Sequence, residues 1–303
     1  MKYAIVQESR AGSRSYNQDR VGHWSSGEAL LMVLADGMGG YAHGEVAAEV
    51  AVQHLGSAFR AAAKPRLGNP EQFLTRAIGR THVAIQRQAV KLALGATPST
   101  TVVACVVQEG HAWWSWIGDS RLYLVRDGSI LARTRDHTLV QELVDGGQLL
   151  EELVASHPDR NKLVQCLGGF EVPRFEPAAS ARLAKDDIVL LCSDGFWGPL
   201  TQRQLLKGLL DGPPERAIPR LVALAEQRAG AQCDNVSVLA MQWQEGAIAA
   251  ADEPRTMPFY DLPTEVQDFS ATDPDALRMT EADIDGAIAE IRAALKKRNP
   301  ETR

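Results

Sequence analysis

Short apolar runs that arrive in hairpin-like groups, with long helices set between the groups, predict an α+β layered fold rather than a doubly wound parallel sheet. The chain has no internal repeat and no GxGxxG or GxxxxGK[ST] phosphate loop, which fits that choice. Residues 29–35, 100–107, 112–117, 121–126, 188–192 and 236–243 read as strands, because β-formers dominate each run and turn residues close it. The stretch from Trp113 to Arg126, followed by Asp127-Gly128 and then 129–134, predicts an antiparallel meander with a hairpin turn. Helical spacing covers 44–60, with Val46, Val50, Leu55 and Phe59 on one side. It resumes after Asn69-Pro70, an N-cap and first-turn pair, with Phe73, Ala77, Ile85 and Ala89. A third helix is expected over 214–229.

At 303 residues the chain can bury a substantial core, and its 45% hydrophobic and 23% charged residues are ordinary for a globular protein. The formal charge of −6 argues against nucleic acid or an anionic membrane as the main partner. All of that imbalance lies in residues 245–303, which carry 13 acidic and 7 basic side chains, whereas the first 244 residues carry 25 of each. A neutral body over 1–244 is therefore followed by an acidic linker over 245–279, holding five Asp, three Glu and four Pro. Residues 280–303 are expected to form a short amphipathic helical tail, with Thr280 and Asp283 as a capping pair and Ile284, Ile288, Ile291 and Leu295 as its stripe. The tail suits a groove on a partner protein, the apolar island at 257–263 suits docking on the body or a regulatory approach to the metal site, and a disordered tether with a marginal helix is the plain alternative; the sequence leaves these open.

Cys105, Cys166, Cys192 and Cys233 have no CxxC spacing, and two of them sit inside apolar runs, so they read as reduced thiols. The first residues hold too short an apolar stretch for a signal peptide, and no uncharged apolar run approaches the roughly 18 residues of a membrane span. These features predict a cytoplasmic protein.

The chemistry is carried by aspartates at strand tips. Asp36 ends LLMVLADGMGG, Asp119 ends WWSWIGDSR, Asp194 ends DDIVLLCSDGF and Asp234 opens CDNVSVLAMQW. A rigid strand end aims a short side chain at a fixed point, and the glycines after Asp36 and Asp194 allow backbone to approach closely. Carboxylate oxygens, a carbonyl and waters are the ligands that Mg²⁺ or Mn²⁺ accept. Asp-Gly after a strand is also an ordinary turn signal, so each aspartate alone reads more readily as a turn residue, and it is the four together that point to a metal site. Other hydrolytic schemes are missing. No cysteine is followed after five residues by Arg, no DxDx[TV] string occurs, and HExxH and GxSxG are absent.

RSYNQD (14–19), ADGMGG (35–40), GDSRLY (118–123), SDGFW (193–197) and CDNVSV (233–238) stand in the order seen in type-2C metal-dependent protein phosphatases, and the chain resembles the bacterial branch of that family over residues 1–243. The resemblance implies a four-layer αββα sandwich of two antiparallel sheets flanked by helices, a metal cluster at one end, and phosphoserine or phosphothreonine protein substrates. Carried over to this sequence, Asp36 bridges two Mn²⁺ or Mg²⁺ ions, the Gly37 carbonyl holds the second, and Asp194 and Asp234 complete the first. Asp119 and Asp194 would hold a weaker third ion, Asp19 would bond a metal-bound water, and Arg14 would grip the phosphate. Paired ions acidify a bridging water that attacks phosphorus in line.

The departing alkoxide wants a proton. Animal members carry a histidine where this chain has Met38, many bacterial members one where it has Tyr41, and His43 stands close enough to substitute. A metal-bound water serves the same purpose, so His43 is one of two candidate acids. Residues 137–169 lie where the family carries a variable flap, read here either as a mobile substrate-reading element or as a plain helix–turn–helix part of the fold. The expected molecule is a monomer acting on phosphoproteins, opposing a eukaryotic-like kinase. The competing reading is a catalytically silent member that binds phosphoproteins or scaffolds a complex through its tail.

Overall fold

The computed structural model describes residues 1–38, 43–175 and 177–244. The expected linker and tail helix, the 257–263 island and Tyr41 fall outside the described residues. In chain order the elements are β1 (Lys2–Arg10), β2 (Arg20–Ser25), β3 (Ala29–Ala35), α1 (Gly44–Ala62), α2 (Pro70–Lys91), β4 (Val102–Gln108), β5 (His111–Ile117), β6 (Arg121–Arg126), β7 (Ser129–Arg133) and α3 (Leu139–Asp145). A 3₁₀ turn (Glu151–Ser156) precedes β8 (Ala179–Arg182), β9 (Ile188–Cys192), α4 (Asp194–Trp197), α5 (Gln202–Leu209), α6 (Pro214–Ala229) and β10 (Val236–Gln244).

One sheet runs in the order β1-β10-β9-β6-β7 and the other β2-β3-β4-β5-β8. Every pairing is antiparallel. Side chains alternate across a strand, and both faces of the central strands are covered, which is why these strands read as unbroken apolar runs. Leu30, Met32 and Leu34 of β3 and Val103, Cys105 and Val107 of β4 point between the sheets, where they meet Leu122, Leu124, Leu191 and Met241. The alternate residues Leu31, Val33, Val102, Ala104 and Val106 face α1 and α2 through Leu55, Phe59, Leu74 and Ile78. Across the molecule Val125, Leu190, Val238 and Ala240 face α5 and α6 through Leu205, Leu209, Leu221 and Val222. The result is helix, sheet, sheet, helix. Each fully buried large apolar side chain contributes about 1.5–3 kcal/mol to holding those layers together.

The helices begin where local chemistry starts them. Asn69 Oδ1 accepts the Gln72 N–H at 2.9 Å, with Pro70 opening α2. Thr201 and Gln204 form a reciprocal capping box before α5. Gly230, at φ 60, ends α6.

One expectation is corrected. The β6–β7 hairpin forms through Asp127-Gly128, both at positive φ, but β5 and β6 do not pair. β5 lies between β4 and β8, β6 lies between β9 and β7, and the chain crosses from one sheet to the other at Gly118-Asp119-Ser120. Alternation shows that a strand has two buried faces, but it does not name the neighbour. The crossing requires Gly118, which sits at φ 103 and packs so tightly on Thr101 that a Cβ would overlap it. Strands β1, β2 and β8 and helices α4 and α5 went unpredicted. β1 carries no strongly buried residue and β2 contains Gly22, so neither shows a clean apolar signal. All four cysteines are free, with Cys105, Cys192 and Cys233 buried, and no described helix is long and apolar enough to cross a membrane.

Candidate metal centre

Strand register gathers the acidic residues. Arg20 pairs with Ala35, which sets Asp19 beside Asp36 at the end of β2 and β3. Arg121 pairs with Cys192, which brings Asp119 near Asp194. Arg10 pairs with Val236, so the loop carrying Arg14 runs beside Asp234. Asp36, Asp119, Asp194 and Asp234 line one open cleft of about 450 Å³ together with Arg14, the Gly37 backbone and Thr101. Among the described residues lining that cleft, Arg14 is the sole cation.

Each carboxylate is held by its backbone. Thr100 Oγ1 and the Thr101 N–H both donate to the Asp36 carbonyl, at 2.8 and 2.9 Å, while Thr101 Oγ1 accepts the Asp36 N–H at 3.1 Å. A Cβ on Gly37 would overlap the Gly44 carbonyl, and one on Gly195 would overlap the carbonyl of Asn235, so both positions demand glycine. Asn235 ties the Arg14 loop to β10. Its Nδ2 donates to the Ala11 and Tyr16 carbonyls at 3.0 Å each, and its Oδ1 accepts the Gln18 N–H at 2.8 Å. Trp197 closes the helical turn that Asp194 opens, and its Nε1 donates to the Asp119 carbonyl at 3.0 Å.

The electrostatics follow from burial and like charge. Desolvation, followed by the negative charges of Asp19, Asp194, Asp119 and Asp234, pushes the Asp36 carboxyl well above the ordinary range. Desolvation with Asp234 and Asp19 pushes Asp194 up to about 7, and desolvation with Asp194 and Asp136 pushes Asp119 well up. Asp19 is 2% exposed. Its Oδ2 accepts the Ser193 hydroxyl at 2.8 Å, but no donor reaches its buried Oδ1, and burial pushes its carboxyl up to about 6 despite bonds from Ser237 and Ser193. A buried cluster of this kind costs free energy until cations enter it. Among the described residues no group of three or more acidic, histidine or cysteine side chains converges closely enough to hold an ion by itself, so backbone carbonyls and waters would have to supply the remaining ligands. An open-sided, all-oxygen set suits Mg²⁺ or Mn²⁺, which keep several waters as ligands, and the undonated Asp19 oxygen beside it is an acceptor for such a water. The residues present therefore fit hard divalent ions.

The sequence-expected residues divide. Asp36, Gly37, Asp119, Asp194, Asp234 and Arg14 share the cleft, and Asp19 lies buried next to it. Arg14 Nη2 donates to Asp234 Oδ2 at 2.8 Å, and its side chain is 58% exposed. His43 is not among the cleft's lining residues. It sits at φ 77 at the N-cap of α1 with its Nδ1 3.7 Å from Glu45 Oε1. The segment 137–169 contains α3 and the 3₁₀ turn, and it returns to the cleft wall through Asn161 and Leu163. His137 is structural, accepting the Gly118 N–H at Nδ1 (3.1 Å) and stacking on Trp116. Trp114 packs between the sheets, while Trp113 packs against the helix-covered core. Sequence reasoning missed the supporting roles of Thr101, Asn235 and Trp197. The last two stand inside motifs already recognised, so their position beside a ligand was the available signal.

Known proteins explain this arrangement. A profile described as protein phosphatase 2C matches residues 6–212. The serine/threonine protein phosphatase PstP of Mycobacterium tuberculosis is 33% identical over 270 residues, 85% of this chain but 50% of that protein, so the chain spans about half the length of this curated relative. The solved serine/threonine phosphatase Stp1 of Staphylococcus aureus gives a TM-score of 0.75 at 27% identity, over 81% of this chain and 96% of its own. A PstP catalytic domain solved in complex with two manganese ions gives a TM-score of 0.67 at 29% identity, over 80% and 99% of the two chains. Five motifs in family order, folded into the family's sandwich and matched across most of their length, have a common origin as their explanation: the chain belongs to the protein phosphatase 2C family.

Proposed function

We propose that the protein is a metal-dependent phosphatase that hydrolyses phosphoserine and phosphothreonine in protein substrates, with Mn²⁺ or Mg²⁺ as cofactor. The observation that carries this reading is charge. Among the described residues lining the cleft, four aspartates face one arginine, and desolvation holds three of those carboxyls above their ordinary range. Asp36, Asp194, Asp234 and the Gly37 carbonyl would hold two ions, and Asp119 with Asp194 a third. When bound, such ions supply an acidified water as nucleophile and offset the charge of the phosphate. The names of the relatives support the substrate class, since several are serine/threonine phosphatases.

The chain's own groups do the rest. Ser193 fixes one oxygen of Asp19 and leaves the other as a proton acceptor beside the cleft. Arg14 is within reach of the cleft but committed only to Asp234. Were Asp234 to serve a cation, the guanidinium fork would be free for two phosphate oxygens. Asn235 limits the movement of that loop, so the arginine is delivered at little entropic cost. A serine/threonine kinase of the eukaryotic-like type is the natural counterpart of this activity.

Phosphate release from a phosphothreonine peptide tests the proposal. Release with added manganese, lost with a chelator and in Asp36→Asn, is the expected result. Peptide binding with no release at any manganese concentration would replace this reading with that of a silent binding module.

A further inference from the structure

Asp119 and Arg121 stand two residues apart where the chain crosses between sheets, both shielded from solvent, yet no ion pair joins them. The guanidinium is engaged elsewhere. Arg121 Nε and Nη2 donate to Asp136 Oδ1 and Oδ2 at 2.8 and 2.7 Å, and Nη1 donates to the Tyr123 hydroxyl at 3.0 Å. Its Cζ lies 3.4 Å from the centroid of the Trp197 ring. The arginine and Asp136 side chains are 14% and 11% exposed, so the fork is locked in place. The indole beneath it donates to the Asp119 carbonyl at 3.0 Å. Trp197 also ends the helical turn that Asp194 begins, so a single residue links the Asp119 strand end to the turn that carries Asp194.

We propose that Asp136, Arg121 and Trp197 form a positioning unit: Asp136 and the indole hold the arginine off Asp119, and the indole fixes the Asp119 backbone, so that the carboxylate stays available to a divalent cation. The inference deepens the proposed function and rests on Asp119 being a cation ligand. Its physical basis is competition. An arginine two residues from a buried aspartate is the nearest available counter-ion, and an internal ion pair there would have to be broken before a metal could bind. Arg14 and Asp234 show the alternative at the exposed side of the same cleft, where the pair does form. Asp136 matches the guanidinium with both of its oxygens and so removes that competitor.

The test is manganese binding by the full-length chain, read as bound Mn²⁺ by electron paramagnetic resonance, with a melting curve in chelator as the check on folding. Asp136→Asn frees the arginine and is expected to weaken binding at the Asp119 site about 10–100-fold, the usual effect of residues that orient metal ligands. Adding Arg121→Gln to that variant removes the competitor and is expected to recover most of the loss. A merely structural role would make the double variant worse. Trp197→Phe keeps an aromatic face but loses the N–H, and is expected to weaken the same site while leaving the chelated melting curve close to wild type. If Asp136→Asn does not fold, Trp197→Phe decides alone. Unchanged manganese affinity in the folded single variants, or a double variant that binds no better than Asp136→Asn, overturns the proposal. A wild-type chain that binds no manganese instead overturns the cation reading beneath it.

Discussion

Asp187 and Asp19 occupy opposite ends of the sandwich and are almost equally hidden, at 0% and 2% exposure. Asp187 precedes β9 at the end remote from the cleft, where Arg126 grips both of its oxygens at 2.8 and 2.7 Å and the Ala184 N–H adds a third bond at 2.8 Å. Asp19 precedes β2 at the cleft end, with hydroxyls on one side, an undonated oxygen on the other, and Asp36 and Asp234 as charged neighbours. Where a buried carboxylate serves the fold, the chain supplies its counter-ion. Where the family places catalysis, the chain assembles like charges and supplies almost none. The difference teaches that the cleft is kept at a cost in stability that only a ligand of opposite charge can offset.

The largest test of that contrast is Asp36→Asn. Manganese-dependent phosphate release should fall by more than the roughly 100-fold that loss of a supporting residue can cause. The metal-free protein should become more resistant to urea, because one of several mutually repelling charges is gone. The opposite sign is expected at the other end. Arg126→Met strands Asp187 without a counter-ion and should lower the unfolding free energy by about 3 kcal/mol in the same urea titration, with little effect on manganese binding.

The pH dependence follows from Asp19 and Asp194, pushed up to about 6 and about 7. In the unfolded chain both lose their protons near pH 4, so between roughly pH 4 and 7 these two groups bind more protons in the native state and their contribution to stability falls as pH rises. The buried imidazoles of His54 and His82, each lowered to about 4 by desolvation, act in the opposite sense over the same window, so the reading lies in the stabilisation that manganese adds, which should grow from pH 5 to 7 as the carboxyls lose their protons. A manganese stabilisation that shrinks from pH 5 to 7 would contradict the like-charge account. Smaller effects are expected from the supports. Asn235→Ala leaves the buried Gln18 N–H without its acceptor, costing about 1–3 kcal/mol, and loosens the Arg14 loop, which should raise KM for a phosphopeptide more than it lowers kcat. The smallest effect belongs to His43→Ala. With the ring beside Glu45 and not in the cleft wall, turnover should drop by less than about twofold, equally for phosphopeptide and aryl phosphate. A loss confined to the phosphopeptide would restore His43 as the proton donor.

Much of this contrast was legible in the sequence. The apolar runs of β3, β4, β6, β9 and β10 gave their positions because both faces of each are buried, and the four cleft aspartates stood out as the punctuation of those runs. Partnership between strands was not legible. Nothing in WWSWIGDSRLY distinguishes a hairpin from a crossing between sheets, because the alternation is the same, and that crossing is what puts Asp119 opposite Asp194. Asp187, equally buried, gave no signal either. Its arginine lies 61 residues away, and only the fold brings them together. Asn235 and Trp197 were hidden for a similar reason, since their work is done through carbonyls and amides that every residue possesses.

The contact between the Gly195 position and the Asn235 carbonyl has a wider consequence. Two main-chain segments touching directly act as a spacer bar whose length no side chain sets. The gap between the neighbouring carboxylates is thus insulated from drift elsewhere, and the layers can exchange one apolar residue for another without disturbing it.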